Sequence, residues 1–316
     1  CLAVATLSLA GGAGALSLSS TPTTPRRASV SISSGLFGRR TTSVAFGSST
    51  GREGGVNQLE VQRAAAKEEL YAAIDNFNTV RSQPGSQPSI DFGVSGGELD
   101  KDTRAPSVVS FYKISPELGD AGEAVFNKIK ALEALGNPTP DATKFLGTEE
   151  GRLCPLNGGW KLAFTTAADA TFSANSTRGE AAISNVVDAV KGTVTNVIDF
   201  APDTATGKMP VVEQLRVLIK PTALSPTRVG LRFLCAKARL RKLFGIPLPG
   251  GRRWRLTFPV PGPFLTKIIF TILRKPTPPM PYFEVAFLDD DLRIHRTGEG
   301  NTFVQRRPSA TANAWA

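Results

Sequence analysis

Hydrophobic positions recur along this chain at two different periods, and the change of period divides it. In residues 57–81, Leu59, Ala66, Leu70, Ala73, Ile74 and Phe77 fall near three and four apart with Glu/Lys pairs between them, which predicts a helix of about six turns. Ser115-Pro116-Glu117 supplies a capping hydroxyl, a proline at the first helical position and an acid in the first turn. A second helix carrying Val125, Ile129, Leu132 and Leu135 is expected there, ended by Gly136-Asn137-Pro138. After Leu156 the period becomes two. Trp160, Leu162 and Phe164 alternate with Lys161, Ala163 and Thr165, as in a strand with one buried face. Further strands are predicted over 192–200, 211–220, 227–238 and 252–258, with a short helix over 181–190. Three more strands fill 281–307, where Asp289-Asp290-Asp291 and the stretch 297–301 interrupt runs of aromatic and β-branched residues.

Eight strands joined mostly by short turns predict a mainly β fold, an antiparallel up-and-down barrel behind an N-terminal helical region; closure removes exposed sheet edges. A barrel of about eight strands holds either packed side chains or one small ligand. The expected division is a targeting leader at 1–55, helices at 56–148 with a Pro/Gly/Ser/Asp-rich insertion at 83–106, a barrel at 149–308 and a short unstructured tail at 309–316.

Composition adds the compartment. Residues 1–52 hold five Arg, no Asp or Glu and many Ser, Thr, Ala and Gly, the composition of a transit peptide, and plastid import is the expectation. The apolar part of 1–52 is too short and too diluted to span a bilayer, and a bipartite signal stays open beside a simple one. Cys1, Cys154 and Cys235 are odd in number and lack CxxC spacing, which argues against a disulfide framework or a zinc site.

The net charge of +10 is unevenly spread: residues 214–283 contain 14 Lys or Arg and no acid, against 14 basic and 21 acidic residues in 57–213. Arg239, Arg241, Lys242, Arg252, Arg253, Lys267, Arg274 and Lys275 lie among apolar side chains including Phe244, Phe264, Ile268 and Ile269. That mixture suits an anionic lipid surface. No recognition helix or RNP-type aromatic pair accompanies the charge, so nucleic acid is not the expected partner.

Candidate chemistry is thin. No GxSxG, GxxxxGK[ST], GxGxxG between strand and helix, or HExxH occurs. Adjacent aspartates in a strand point to opposite faces, and aspartate favours turns, so Asp289 to Asp291 read as a structural corner with Arg293 or Arg296 as a charge partner. The single histidine, His295, reads as an exposed strand residue, and neither a metal nor a cofactor is implied.

The segments NPTP at 137–140, LNGGWKLAFTT at 156–166 and FLDDDLRIHRTGEGNTFV at 287–304 resemble the plastid lipid-associated proteins, or fibrillins. In that family a Leu-Asn-Gly-x-Trp-x-Leu segment opens a lipocalin-like barrel and an Asp-x-Asp-Leu-Arg-Ile segment closes it. The resemblance covers roughly 60–307. It implies Trp160 at the barrel floor with Arg293 or Arg306 across its face, and Asp289, Asp291, Arg293 and Arg306 as the polar groups of closure. It also implies a non-catalytic barrel that binds a lipid or isoprenoid such as a carotenoid or quinone at a plastid membrane or plastoglobule. An enzyme acting on such a molecule, or a scaffold that docks another plastid protein, are the alternatives. The expected interior is Trp160, Leu162, Phe164, Val194, Leu215, Val217, Phe233, Leu256, Phe258, Val285 and Phe287, an apolar set that favours binding or scaffolding over catalysis. A fluorescent protein placed behind an initiating Met and residues 1–56 is expected in plastids, and a cytosolic signal would reject import.

Overall fold

In the sheet of this protein, irregularities of register decide which residue goes to which side, and those in β1 and β9 bear on the expected interior. The computed structural model describes residues 52–83, 110–167, 181–202, 207, 211–243, 246–247, 249–260 and 280–308. Helix α1 spans Arg52–Arg81 and α2 spans Pro116–Ala134. The Ser115 hydroxyl caps α2 as expected, accepting from the Leu118 amide at 3.1 Å. The leader up to residue 51, the insertion from 84 and the tail from 309 lie outside the described residues.

Among the described residues eleven strands follow: β1 Gly158–Thr165, β2 Ala181–Asp188, β3 Thr193–Phe200, β4 Val212–Ala223, β5 Arg228–Leu240, β6 Lys242–Leu243, β7 Ile246–Pro247, β8 Trp254–Pro259, β9 Tyr282–Leu288, β10 Leu292–Thr297 and β11 Thr302–Arg306. All neighbours pair antiparallel, in the order β4-β3-β2-β1-β11-β10-β9-β5, and β4 also pairs with β5, so eight strands close a ring. β5 is long enough to serve two partners on one edge: Arg228 to Gly230 pair with β9, and Cys235 to Leu240 pair with β8. The two-residue strands β6 and β7 form a separate hairpin. The expected mainly β barrel with an N-terminal helical region is therefore present.

One element differs in kind. Residues 181–188 form a strand where a short helix was expected. Ile183 and Val187 are buried, and the strand bonds to β1 on one edge and β3 on the other. Tertiary pairing on both edges outweighs the helical tendency of its alanines.

Two expected interior residues lie on the opposite face. In β1 the register slips between Leu162 and Phe164, and in β9 it slips opposite the step from Ile294 to His295, leaving Ala163 and Ala286 as extra residues. Each bulge inverts the alternation beyond it. Trp160 and Val285 stay with the interior cluster while Phe164 and Phe287 turn outward. There they continue one cross-strand row, Phe164–Val304–Ile294–Phe287, that forms the platform under the helices. Leu70, Ile74 and Phe77 of α1 and Val125, Ile129 and Leu132 of α2 close over it. The Phe77 ring meets Phe111 at 4.8 Å and Phe164 at 5.0 Å, both edge-to-face. Leu256 and Phe258 are also misplaced by alternation alone: β8 lies outside the closed ring, so Leu256 is half-buried and Phe258 is 39% exposed.

Both helices are tied to the closing meander by charge. Lys67 of α1 donates to Asp289 Oδ2 at 2.9 Å and to Asp291, and Arg296 of β10 reaches Glu133 of α2 at 2.9 Å. Phe287 is fully buried against α1 and α2. Phe287→Ala is expected to lower stability by about 3 to 5 kcal/mol, read from the denaturant midpoint at unchanged slope; a midpoint equal to the parent's would remove it from that core.

Candidate functional site

On β10, Leu292 and Ile294 face the helices, and strict alternation turns Arg293 and His295 into the barrel. Both are buried, which corrects the expectation of an exposed histidine. The His295 ring lies parallel to Phe303 at 5.1 Å and tilted against Phe283 at 4.8 Å; its cross-strand partners Phe303 and Val285 leave it no solvent face. His295 Nδ1 is buried without a hydrogen-bond partner.

Arg293 is held by amides. Its Nε donates to Gln305 Oε1 at 2.9 Å and its Nη2 to Asn185 Oδ1 at 2.8 Å, and Asn185 Nδ2 donates to Asn196 Oδ1 at 2.6 Å. These residues are brought together by cross-strand pairing: Arg293 stands opposite Gln305, Asn185 opposite both Trp160 and Asn196. The guanidinium lies 4.9 Å from the Trp160 ring centre and 5.8 Å from that of Phe283.

The expected Trp–Arg contact is thus formed by Arg293, and a second cation joins it. Arg307, not Arg306, approaches Trp160 at 4.2 Å, its Nη1 and Nη2 donating to the carbonyls of Asn157 at 2.6 Å and Pro155 at 2.9 Å. Arg306 faces out of the barrel and stacks on Tyr71 of α1 at 3.6 Å, because successive residues of β11 take opposite faces. Gly158 is required beneath this cluster: its φ is +109°, and a Cβ there would stand 2.6 Å from Arg307 Nη1. Trp160 is fully buried and donates from Nε1 to the Leu156 carbonyl at 2.9 Å.

The electrostatics of this centre are one-sided. Burial, followed by the charge of Arg307, draws the Arg293 pKa down to about 9, and no carboxylate acts on it. Burial, followed by the charge of Arg293, keeps His295 neutral well below its ordinary titration range. The aspartate corner is the structural feature expected of it. Asp289 Oδ1 accepts from the amides of Asp291 at 3.1 Å and Leu292 at 2.8 Å. Its charge partner is Lys67 of α1, where Arg293 or Arg296 was expected. Partial burial works against the Lys67 ammonium, but hydrogen bonds to Asp291 and Asp289 outweigh it and raise its pKa. Among the described residues no group of three His, Cys, Asp or Glu side chains is gathered as a metal site.

A cavity of about 60 Å³ remains inside the ring. Leu162 and Val194 of the expected interior line it, beside Ile183, Val187, Ile219 and Phe283; the polar wall of Asn185, Asn196, Arg293, His295 and Gln305 was not expected. Val217 and Val285 are buried in the adjoining core, and Leu215 and Phe233 pack half-buried against it.

In the basic segment, Glu213 stands one residue before the acid-free span and gathers three of its cations: Arg253 at 2.6 Å, Arg239 at 3.5 Å and Arg241 at 3.9 Å. Lys242 and Arg252 are exposed. Phe244, Phe264, Lys267, Ile268, Ile269, Arg274 and Lys275 lie outside the described residues. No described helix is long and apolar enough to cross a membrane.

A ring of antiparallel strands that begins at Gly158-Gly159-Trp160 and carries an aspartate corner between β9 and β10 defines a closed β-barrel protein with helices on one outer face. The PAP_fibrillin family model matches residues 119–306, and the chain belongs to that family, the plastid lipid-associated proteins. No curated protein and no solved structure matches the chain.

Because His295 is the single histidine, its burial has a separable signature. Its folded pKa lies below the unfolded value of about 6.5, so the unfolded chain takes up the proton first as pH falls. The stability that depends on neutral His295 is fully present above about pH 6.5 and decreases by up to about 1.4 kcal/mol per pH unit below it. Denaturant titrations between pH 7 and pH 5 are expected to show this slope in the parent and a shallower one in His295→Gln; identical slopes would contradict a buried neutral imidazole.

Proposed function

We propose that this protein is a non-catalytic binder of a lipid or isoprenoid, a carotenoid or quinone being the expected kind, working at the surface of a thylakoid or plastoglobule. Family membership implies association with plastids and their lipids. The observation that carries the reading further is the barrel interior, where one cavity is lined by apolar side chains and by a small group of polar ones. That is the division of surface used to hold an amphiphile in one orientation.

Surface attachment is supported at one edge of the sheet. Arg255 is exposed on the edge strand β8 with Phe258, itself 39% exposed, and Arg252 is exposed just before it, while Lys242 and Ile246, the latter 63% exposed, lie on the adjoining β6–β7 hairpin. Basic groups flanking apolar side chains suit an anionic lipid interface, whereas Arg239, Arg241 and Arg253 share the carboxylate of Glu213 and contribute less free charge.

The cavity volume favours a second reading. About 60 Å³ is far less than a whole isoprenoid needs, and a barrel packed to this degree also suits a scaffold that docks another plastid protein. Organic extraction of the purified protein followed by mass spectrometry separates the two: near-stoichiometric lipophilic ligand is expected for the binder, none for the scaffold. For the surface, Lys242→Glu with Arg252→Glu and Arg255→Glu is expected to abolish flotation with anionic liposomes at low salt; a triple variant that floats like the parent would place attachment elsewhere.

A further inference from the structure

A buried arginine ordinarily faces a carboxylate, because removing a guanidinium from water is costly unless an opposite charge offsets it. Arg293 has none. Its recorded partners are the amide oxygens of Gln305 and Asn185 and the faces of Trp160 and Phe283, and its nearest charged neighbour acting on it is another cation, Arg307. The acids of the aspartate corner act instead on Arg307, and two of them, Asp289 and Asp291, on Lys67.

His295 is the second anomaly. It is buried, borders the same cavity two residues along the same strand face, and carries a ring nitrogen with no partner. A neutral imidazole always has one N–H to donate and one nitrogen to accept, so the orphaned Nδ1 leaves a polar requirement unmet. The space in contact with both residues is small; apart from the neutral polar groups of Asn185, Asn196, Gln305, Tyr282 and Thr297 its lining, Leu162, Ile183, Val194 and Ile219 included, is apolar.

We infer that Arg293 and His295 form the head-group site for a lipophilic monocarboxylate, such as a long-chain acid, whose carboxylate meets the guanidinium while its hydrocarbon part lies along the apolar interior. This rests on the barrel being a lipid binder, as proposed above, and specifies the end of the ligand that enters first. One guanidinium offsets one negative charge; with Nε and Nη2 engaged by Gln305 and Asn185, Nη1 is the nitrogen that would donate to the carboxylate in a charge-assisted hydrogen bond. A doubly charged phosphate would leave charge uncompensated in a site whose other members, His295, Asn185, Asn196 and Gln305, are neutral. A neutral alcohol would leave Arg293 as it is now.

The test is a calorimetric titration of the full chain, stripped of lipid on hydrophobic resin, with decanoate, 1-decanol and acetate. Decanoate is expected to bind at least about tenfold tighter than 1-decanol, and acetate more weakly than both, since it has a head and no tail. In Arg293→Gln the acid should fall to the affinity of the alcohol while the alcohol is unchanged, with the circular dichroism of the parent retained. Equal affinities for decanoate and 1-decanol in the parent would overturn the head-group site and leave the barrel reading standing, whether or not the variant folds. Acetate binding as tightly as decanoate would make the site one for small free anions and overturn the lipophilic part. Binding of none of the three would overturn this inference, and ligand-free extracts beside it would overturn the barrel reading as well.

Discussion

Strand β10 is buried on both faces, and a strand in that position needs a different cover for each. Here the cover is divided between the helices and the barrel. Leu292 and Ile294 look out to α1 and α2, which supply the apolar partners, so the face left for the interior is the one that carries Arg293 and His295. In a barrel without outer helices the same sequence would have to point its apolar face inward. The helices therefore decide the chemistry of the cavity without touching it. The salt bridges from Lys67 and Arg296, set at the two ends of β10, fix that arrangement.

The floor of the barrel shows how such an interior tolerates charge. Two guanidinium groups approach the same indole, and each also finds neutral oxygens: amide side chains for Arg293, backbone carbonyls for Arg307. Aromatic faces and carbonyl dipoles replace part of the lost hydration without neutralising the charge. The residual positive charge of Arg293 borders a small space lined by apolar side chains and neutral polar groups, where it acts over a short distance at low dielectric.

Much of the fold was legible in the sequence. The capped start of α2, the strand pairs around the aspartate corner and the barrel itself follow from period, capping and turn residues. Alternation failed at Ala163 and Ala286, because a bulge leaves no mark in the pattern of apolar residues; both Phe164 and Phe287 remain apolar and buried on whichever side they fall. The polar wall was missed for a related reason. The expected interior was drawn from apolar residues alone and His295 was read as exposed, although Arg293, two residues away on the same strand face, was already a candidate partner of Trp160. A predicted pair of amphipathic helices with nothing else to cover was the available signal. Glu213 escaped notice because it bounds the acid-free span from outside, and only the pairing of β4 with β5 and of β5 with β8 brings three arginines to it.

The ring is closed by a narrow seam. β5 and β9 meet through three residue pairs, Arg228–Glu284, Val229–Phe283 and Gly230–Tyr282, although about fifty residues separate the paired segments along the chain. Loop-closure entropy grows only with the logarithm of length, so insertions between β5 and β9 can lengthen at little thermodynamic expense. Folding speed responds differently, since a contact this distant in sequence forms late, after the hairpins on either side of it. The seam also has the fewest residue pairs of any in the ring, and the amide of Leu231, which donates across it to the Pro281 carbonyl at 2.8 Å, is accordingly a natural reporter of barrel opening in hydrogen exchange.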